Sequence, residues 1–222
     1  MTGLPLVRTA FVDGPRSLGE RSRSRRWETL LQVFPTIEEM SVLDLGGTVE
    51  YWRRAPVQPR SVHLVNLETP PAEPPPDWIR VDVADACEPP PGLLDSRYDL
   101  VYSNSVIEHV GGHDRRMAFA DTVRRVAPEH WIQTPYRYFP VEPHWVCPFM
   151  QYLPLRMRAR VGLHWPLVHT PHDDLDGSIA AQLQVELLDI TQMRHYFPNS
   201  DLVFDRMLGL VKSIIAVQRA GH

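Results

Sequence analysis

The chain has 222 residues, a formal net charge of −4 at pH 7 and a sequence pI of about 6.2. With 43% hydrophobic and 23% charged residues it has the composition of an ordinary globular protein, and no stretch reaches the roughly 18 apolar residues that a membrane-spanning helix needs. For this reason we expect no integral membrane association. Because the chain has no overall positive field, we expect no nucleic-acid partner, and a small molecule is the favoured ligand.

The two cysteines, Cys87 and Cys147, lie in unrelated contexts without metal-type spacing, and no charged-then-apolar export segment opens the chain. A reducing, cytoplasmic location therefore fits the sequence best. Glycine and proline punctuate the first 20 residues without a sustained period. We therefore expect an N-terminal arm over residues 1–25, followed by one domain over residues 26–222.

Apolar residues at helical spacing open this domain. Their spacing of i, i+3, i+4 and i+7 predicts a helix that packs on the core and ends at Pro35. The residues are Trp27, Leu30, Leu31 and Phe34. A second apolar helical face ends at Pro128 and consists of Phe119, Val123, Val126 and Ala127.

Strand-like runs alternate with the helical patterns. They predict strands at residues 41–45, 61–67, 78–81, 98–103 and 130–134. Two further β-rich runs, 202–208 and 211–218, are separated by little more than Gly209 and predict an antiparallel hairpin. The predicted fold class is α/β: a Rossmann-like, seven-stranded, mostly parallel sheet with helices on both faces and an antiparallel strand in the C-terminal hairpin.

Residues 136–189 form an interval that is too long for a simple connection. It is rich in proline, histidine and aromatic residues, and its apolar side chains must be buried somewhere. We expect a lid or a substrate-binding insertion here.

Two segments end predicted strands in glycine or small polar residues, which is how buried parallel strands open into a site. The first, Val42–Thr48, contains the run Asp44-Leu45-Gly46-Gly47-Thr48. The second, Tyr98–Val110, is apolar until Ser103 and Asn104. With the C-terminal hairpin, these segments give the chain from about Trp27 to Gln218 a pattern that resembles the small-molecule branch of the class I S-adenosylmethionine-dependent methyltransferases.

This resemblance implies S-adenosyl-L-methionine as the cofactor and assigns its site residue by residue. The loop formed by Asp44, Gly46, Gly47 and Thr48 would approach the methionine part, since glycine allows positive φ and close backbone contact. Glu68, or alternatively Asn66, would bind the ribose hydroxyls. Asp82 and Val83 would lie at the adenine, with Asp85 as the alternative, and Ser103 and Asn104 would face the sulfonium.

One departure from the family pattern concerns the first loop. Thr48 and Glu50 stand where the usual pattern has glycines, and Glu50 adds a carboxylate. A catalytically inactive binding or scaffold protein with this fold is therefore the alternative prediction. A nicotinamide dehydrogenase is a third, although no G-x-G-x-x-G motif occurs.

Histidines near the predicted site are candidates for a general base. His109 follows strand four and His144 lies in the insertion, and imidazole is suited to removing a hydroxyl proton near neutral pH. His109 also has a plain structural interpretation at a helix start. Two groups of residues carry side chains that can bind metals. The first group is Glu108, His109, Glu142 and His144, and the second group is His164, His169, His172, Asp173 and Asp174. Neither group has a recognised spacing of metal ligands, so no metal site is predicted.

The sequence thus predicts methyl transfer from S-adenosyl-L-methionine to a small, partly apolar acceptor, with oxygen favoured as the methylated atom. The oligomeric state stays open, because no heptad or other pairing pattern occurs.

Overall fold

The computed structural model of the protein describes residues 18–67, 73–168 and 171–220. In this part of the chain the main sheet has seven strands in the order β3-β2-β1-β4-β5-β9-β8. These strands are β1 (Ser41–Leu45), β2 (Ser61–Asn66), β3 (Ile79–Val83), β4 (Leu100–Asn104), β5 (Glu129–Pro135), β8 (Asp201–Met207) and β9 (Leu210–Gln218). A separate two-stranded antiparallel sheet consists of β6 (Val141–Glu142) and β7 (Cys147–Pro148).

The main sheet is parallel from β3 to β5, and β9 pairs antiparallel with both β5 and β8. The predicted fold class is therefore confirmed. All seven predicted strands are present, and their ends differ from the predicted ones by at most two residues.

Helices cover both faces of the sheet, as the two hydrophobic cores show. Leu30 and Trp52 pack with Val42 on one face, and Phe119 and Met193 pack with Leu43 on the other. Successive residues of β1 thus point into different cores, as the alternation of side chains along a strand requires. The helices are α1 (Leu18–Val33), α2 (Val49–Arg53), α3 (Pro91–Leu94), α4 (His113–Val126), α5 (Leu155–His164), α6 (Leu175–Leu183) and α7 (Ile190–Tyr196), with 3₁₀ turns at Ile37–Glu39 and Met150–Tyr152.

Helix α1 begins nine residues before the first residue of the predicted stripe, so residues 18–25 of the predicted arm are helical. Polar contacts explain this early start. The buried Ser22 hydroxyl donates to Asp205 Oδ2 over 3.1 Å and accepts from Lys212 Nζ over 2.7 Å, which ties this first half of the helix to the C-terminal hairpin. The rest of the predicted arm, residues 1–17, lies outside the described residues.

The hairpin between β8 and β9 turns through two residues of positive φ, Leu208 at 52° and Gly209 at 81°. Positive φ at both central positions identifies a type I′ turn, whose twist matches that of the strands it joins. Leucine is an unfavourable residue at such a position, because its Cβ crowds the backbone.

The segment predicted as an insertion forms a small unit with a core of its own. Trp145, Cys147 and Met150 are buried there, packed against side chains of α5 and α6 and the loops that follow them. Tyr136 and Leu188 pair in an isolated β-bridge, so the segment leaves and rejoins the domain at one place. Among the described helices, none is long and apolar enough to span a membrane.

Candidate functional site

Two consecutive glycines after β1 make a turn that other residues would obstruct. Gly46 has φ of +83°, and a Cβ built on it would lie 2.4 Å from Val106 Cγ2. A Cβ on Gly47 would lie 1.7 Å from Asp44 Oδ2, far inside any van der Waals contact. The turn therefore requires glycine at both positions. The Val106 side chain excludes a Cβ at Gly46, and the Asp44 side chain excludes one at Gly47.

Asp44 is a buried carboxyl group beside this turn. Trp52 Nε1 donates to its Oδ2 over 2.7 Å, while Oδ1 is buried without a hydrogen-bond partner among the described residues. Burial raises the pKa of Asp44 to about 7, against the opposing effect of the Trp52 hydrogen bond. Such a group gains from a cationic or N–H partner at its free oxygen.

The departure from the family pattern at Thr48 and Glu50 has a local structural explanation. Thr48 is the N-cap of α2, and its hydroxyl accepts from Tyr51 N over 3.3 Å, which satisfies a free N–H at the helix start. Glu50 is exposed and accepts a hydrogen bond from Arg54 Nε over 2.7 Å, one turn along α2. Neither side chain alters the glycine turn itself.

The carboxyl ends of β2 and β3 present an apolar surface. Asn66 pairs with Val83 in the sheet, and the Asn66 amide donates to Gly47 O over 3.2 Å, so these ends are tied to the glycine turn. Leu67 is 68% and Val83 54% exposed, which is unusual for apolar residues beside a sheet. The sequence analysis did not identify Leu67 as a site residue, although an apolar residue at the end of a predicted strand could have indicated it. Glu68, the favoured ribose ligand, lies outside the described residues.

The two aspartates considered for the adenine are engaged in other contacts. Asp82 accepts from Arg80 and lies 2.9 Å from His63 Nε2. Burial raises its pKa, but these hydrogen bonds and the nearby positive charges outweigh burial and lower the pKa overall. Asp85 accepts from Arg115 and from the backbone N–H of Cys87.

The end of β4 meets both β1 and the N-terminal helix. The buried Ser103 hydroxyl donates to Leu45 O over 2.8 Å, which joins the ends of the two strands. Asn104 accepts from Arg26 over 2.6 Å, so α1 reaches the carboxyl edge of the sheet. A cavity of about 590 Å³ lies between α1 and the start of α2, with Thr48 in its wall.

The two histidines predicted as bases meet directly, although 35 residues separate them. His109 Nε2 and His144 Nε2 are 3.0 Å apart, and His144 Nδ1 lies 2.7 Å from Glu142 Oε1. Burial lowers the pKa of His144, but the bond to Glu142 and its charge outweigh burial and raise it. Desolvation of its ring and the charge of His144 lower the pKa of His109.

Glu108 completes the group. Its Oε2 accepts from the Thr134 hydroxyl over 2.9 Å, while Oε1 is buried and has no partner within the described ranges. Burial raises its pKa to about 7, although the nearby His144 charge opposes this. Ligand atoms of Glu108, His109 and His144 all lie within 4.8 Å of one another.

The second group of ligand-type residues does not converge in the described part of the chain. Asp174 caps α6 and accepts from Gly177 N over 2.7 Å, and His169 lies outside the described residues. Within residues 18–67, 73–168 and 171–220, potential metal ligands cluster at Glu108, His109 and His144.

Comparisons with known proteins address the fold. No family model matches the sequence, and no curated protein matches it. An S-adenosylmethionine dependent methyltransferase from Mesorhizobium loti aligns with a TM-score of 0.56 at 15% identity, over 87% of this chain and 97% of that one. The magnesium protoporphyrin IX methyltransferase of Synechocystis PCC 6803, with bound SAH, aligns with a TM-score of 0.52 at 11% identity, over 98% of this chain and 95% of that one.

A third solved structure is an N-methyltransferase from Bradyrhizobium japonicum WM9, with a TM-score of 0.53 at 10% identity, over 90% of this chain and 96% of that one. These alignments cover nearly the whole of both partners at low identity. They show that the chain has the fold of the class I S-adenosylmethionine-dependent methyltransferases, as the resemblance implied.

Proposed function

We propose that the protein transfers a methyl group from S-adenosyl-L-methionine to a small-molecule acceptor. The observation that carries the proposal is the Gly46–Gly47 turn against the free oxygen of Asp44. It lies at the carboxyl ends of β1 and β4, where the strand order of the sheet reverses. Ligands of open α/β sheets bind at this switch point.

The residues of this edge match the parts of the donor. The free Asp44 oxygen is an acceptor of the kind that the donor's ammonium group needs. The glycine turn packs so closely that a Cβ would collide with Val106 or with Asp44, and it therefore brings the backbone directly against this carboxyl group. The exposed Leu67 and Val83 offer apolar surface for an adenine ring. We assign adenine contact to these side chains and to the backbone at β3, since the Asp82 carboxylate is engaged with His63 and Arg80. The ribose is assigned to Asn66 and Glu68.

The methyl donor supplies an activated carbon on a sulfonium, so the protein has to align the acceptor with it and exclude water. We infer that the acceptor lies between this edge and the insertion, beside His109 and His144. A hydroxyl acceptor requires a group that takes its proton, and an imidazole pair held by Glu142 meets that need. This supports methylation at oxygen, of a small and partly apolar molecule.

The inactive alternative depended on Thr48 and Glu50. Because Thr48 caps α2 and Glu50 pairs with Arg54 at the surface, neither side chain argues against donor binding. The proposal of an active enzyme is therefore the better supported one.

Calorimetry with SAH, the demethylated product, tests the proposal. We expect one molecule of SAH to bind per chain, and the binding to weaken at least about tenfold in Asp44→Asn. Asp201→Asn, on the exposed start of β8, is the matched control and keeps full affinity. Failure of well-folded protein to bind SAH contradicts donor binding, and binding of a pyridine nucleotide in its place supports a dehydrogenase. Screening candidate acceptors by mass spectrometry for one added methyl group then identifies the substrate.

A further inference from the structure

The His109–His144 contact brings two imidazole nitrogens to face each other over 3.0 Å. Two neutral rings cannot both present lone pairs at this distance without repulsion. Either a proton or a cation must lie between the two Nε2 atoms.

Glu142 determines which nitrogen of His144 is available. The buried Glu142 accepts at Oε1 from His144 Nδ1 over 2.7 Å, and its Oε2 accepts from Trp145 N over 2.8 Å, so the carboxylate is held on both sides. Neutral His144 therefore carries its hydrogen on Nδ1 and directs the lone pair of Nε2 towards His109. A ring that donates from one nitrogen to a carboxylate and presents the other is the usual arrangement of a metal-binding histidine.

Glu108 adds a second, independent observation. Its side chain is 1% exposed, and the Thr134 hydroxyl holds Oε2, which leaves Oε1 buried without a partner in the described part of the protein. A buried carboxylate oxygen without a hydrogen bond is costly. The ligand atoms of Glu108, His109 and His144 lie within 4.8 Å of one another. A proton shared by the two histidines leaves this oxygen unsatisfied, whereas a cation held by all three residues satisfies it.

We propose that Glu108, His109 and His144 bind a divalent metal ion of the zinc class. Two imidazoles and one carboxylate form a borderline N/O ligand set that favours such ions over magnesium or calcium. Bonds of about 2.0–2.2 Å place tetrahedral ligand atoms about 3.3–3.6 Å apart, so small side-chain rotations bring the three groups to the required spacing. Three protein ligands leave a fourth position open, as in catalytic zinc sites.

The role of the ion rests on the proposed function, although its binding does not. An acceptor hydroxyl at the open position becomes more acidic, because the ion stabilises its oxyanion. The hydroxyl proton leaves to solvent and the oxygen forms a bond to the methyl carbon. The carbon–sulfur bond breaks with its electron pair remaining on sulfur, which turns the sulfonium into a neutral thioether. With the ion bound, activation of the acceptor hydroxyl passes from the imidazole pair of the proposed function to the ion, which His109 and His144 hold in place.

Metal titration of untagged, chelator-treated protein tests the inference. Zn²⁺ competed against a chromophoric chelator should bind at one equivalent per chain. His109→Ala, which changes an exposed side chain, and His144→Ala should each weaken the binding more than about 100-fold, because each removes a ligand. Glu142→Gln should weaken it about 10–100-fold through the orientation of His144. His164→Ala, at an exposed histidine of α5, is the matched control and should leave it unchanged.

Two results would overturn the inference: no zinc binding by folded wild-type protein, or equally tight binding by His109→Ala. Calorimetry with SAH on the same samples separates this outcome from the proposed function. SAH binding without zinc binding refutes the metal site alone. Zinc binding that follows the ligand variants, in protein that does not bind SAH, supports the metal site and contradicts the methyltransferase proposal.

Discussion

Gly47→Ala is the substitution with the sharpest structural expectation. The new Cβ would lie 1.7 Å from Asp44 Oδ2, so the carboxylate would have to retreat by more than about 1 Å. That movement breaks the 2.7 Å hydrogen bond from Trp52, because both groups are buried and packed. Losing a buried hydrogen bond to an ionisable group costs about 1.5–3 kcal/mol.

The expected result is a decrease of about 2–3 kcal/mol in the free energy of unfolding, measured by urea denaturation. For a chain of this size it corresponds to a Tm lower by about 4–12 °C. Affinity for SAH, measured by calorimetry, should fall about 30–150-fold if the Asp44 carboxylate loses its orientation to the same extent.

Gly92→Ala is the matched control, because a Cβ on Gly92 in α3 meets nothing within 4 Å. Alanine is the better helix former, so this variant should be unchanged or more stable by up to about 1 kcal/mol, with full SAH affinity. If Gly47→Ala unfolds within about 0.5 kcal/mol of the wild type and binds SAH equally well, the described packing of Asp44 against the turn is wrong.

Three further substitutions test other features. Burial raises the pKa of Asp44 in the folded protein to about 7, above the ordinary value of 3.8 that it has in the unfolded chain. Ionisation of Asp44 therefore lowers stability as the pH rises from about 4 to 7. The Asp44→Asn variant cannot ionise, so over this pH range its unfolding free energy should fall by a few kcal/mol less than that of the wild type. Urea denaturation at several pH values measures this difference, and parallel curves for the two proteins would contradict the raised pKa. Leu208→Asn suits the type I′ turn and should raise the unfolding free energy by about 1 kcal/mol, whereas a lower Tm would argue against positive φ at Leu208. Arg26→Ala removes the hydrogen bond to Asn104 and should cost about 1–3 kcal/mol in the same denaturation assay; an unchanged midpoint would argue against that contact.

The sheet was predictable because its signals are local. Each strand is a short apolar run with turn residues at its ends, and the same periodicity assigned Leu30 and Phe119 to helix faces that pack on the sheet. The early start of α1 was not predictable, since Ser22 is buried through hydrogen bonds to side chains 183 and 190 residues away. Polar contacts of this kind leave no periodic pattern.

The candidate site shows the same division between local and distant information. The glycine turn follows directly from the sequence around Gly46, and the structure adds the reason that Gly47 is required. The contact of Asp82 with His63 could not be predicted, because it depends on which residues are neighbours across β2 and β3. The meeting of His109 with His144 likewise depends on where the insertion folds back.

The separate core of the insertion has an evolutionary consequence. Trp145, Cys147 and Met150 are enclosed by their own segment, and the Tyr136–Leu188 bridge pins that segment at its base. Mutations within it are therefore buffered from the packing on either side of the sheet. Evolution can therefore exchange side chains or lengthen loops there without repacking the sheet, provided that Glu142 and His144 keep their positions beside His109.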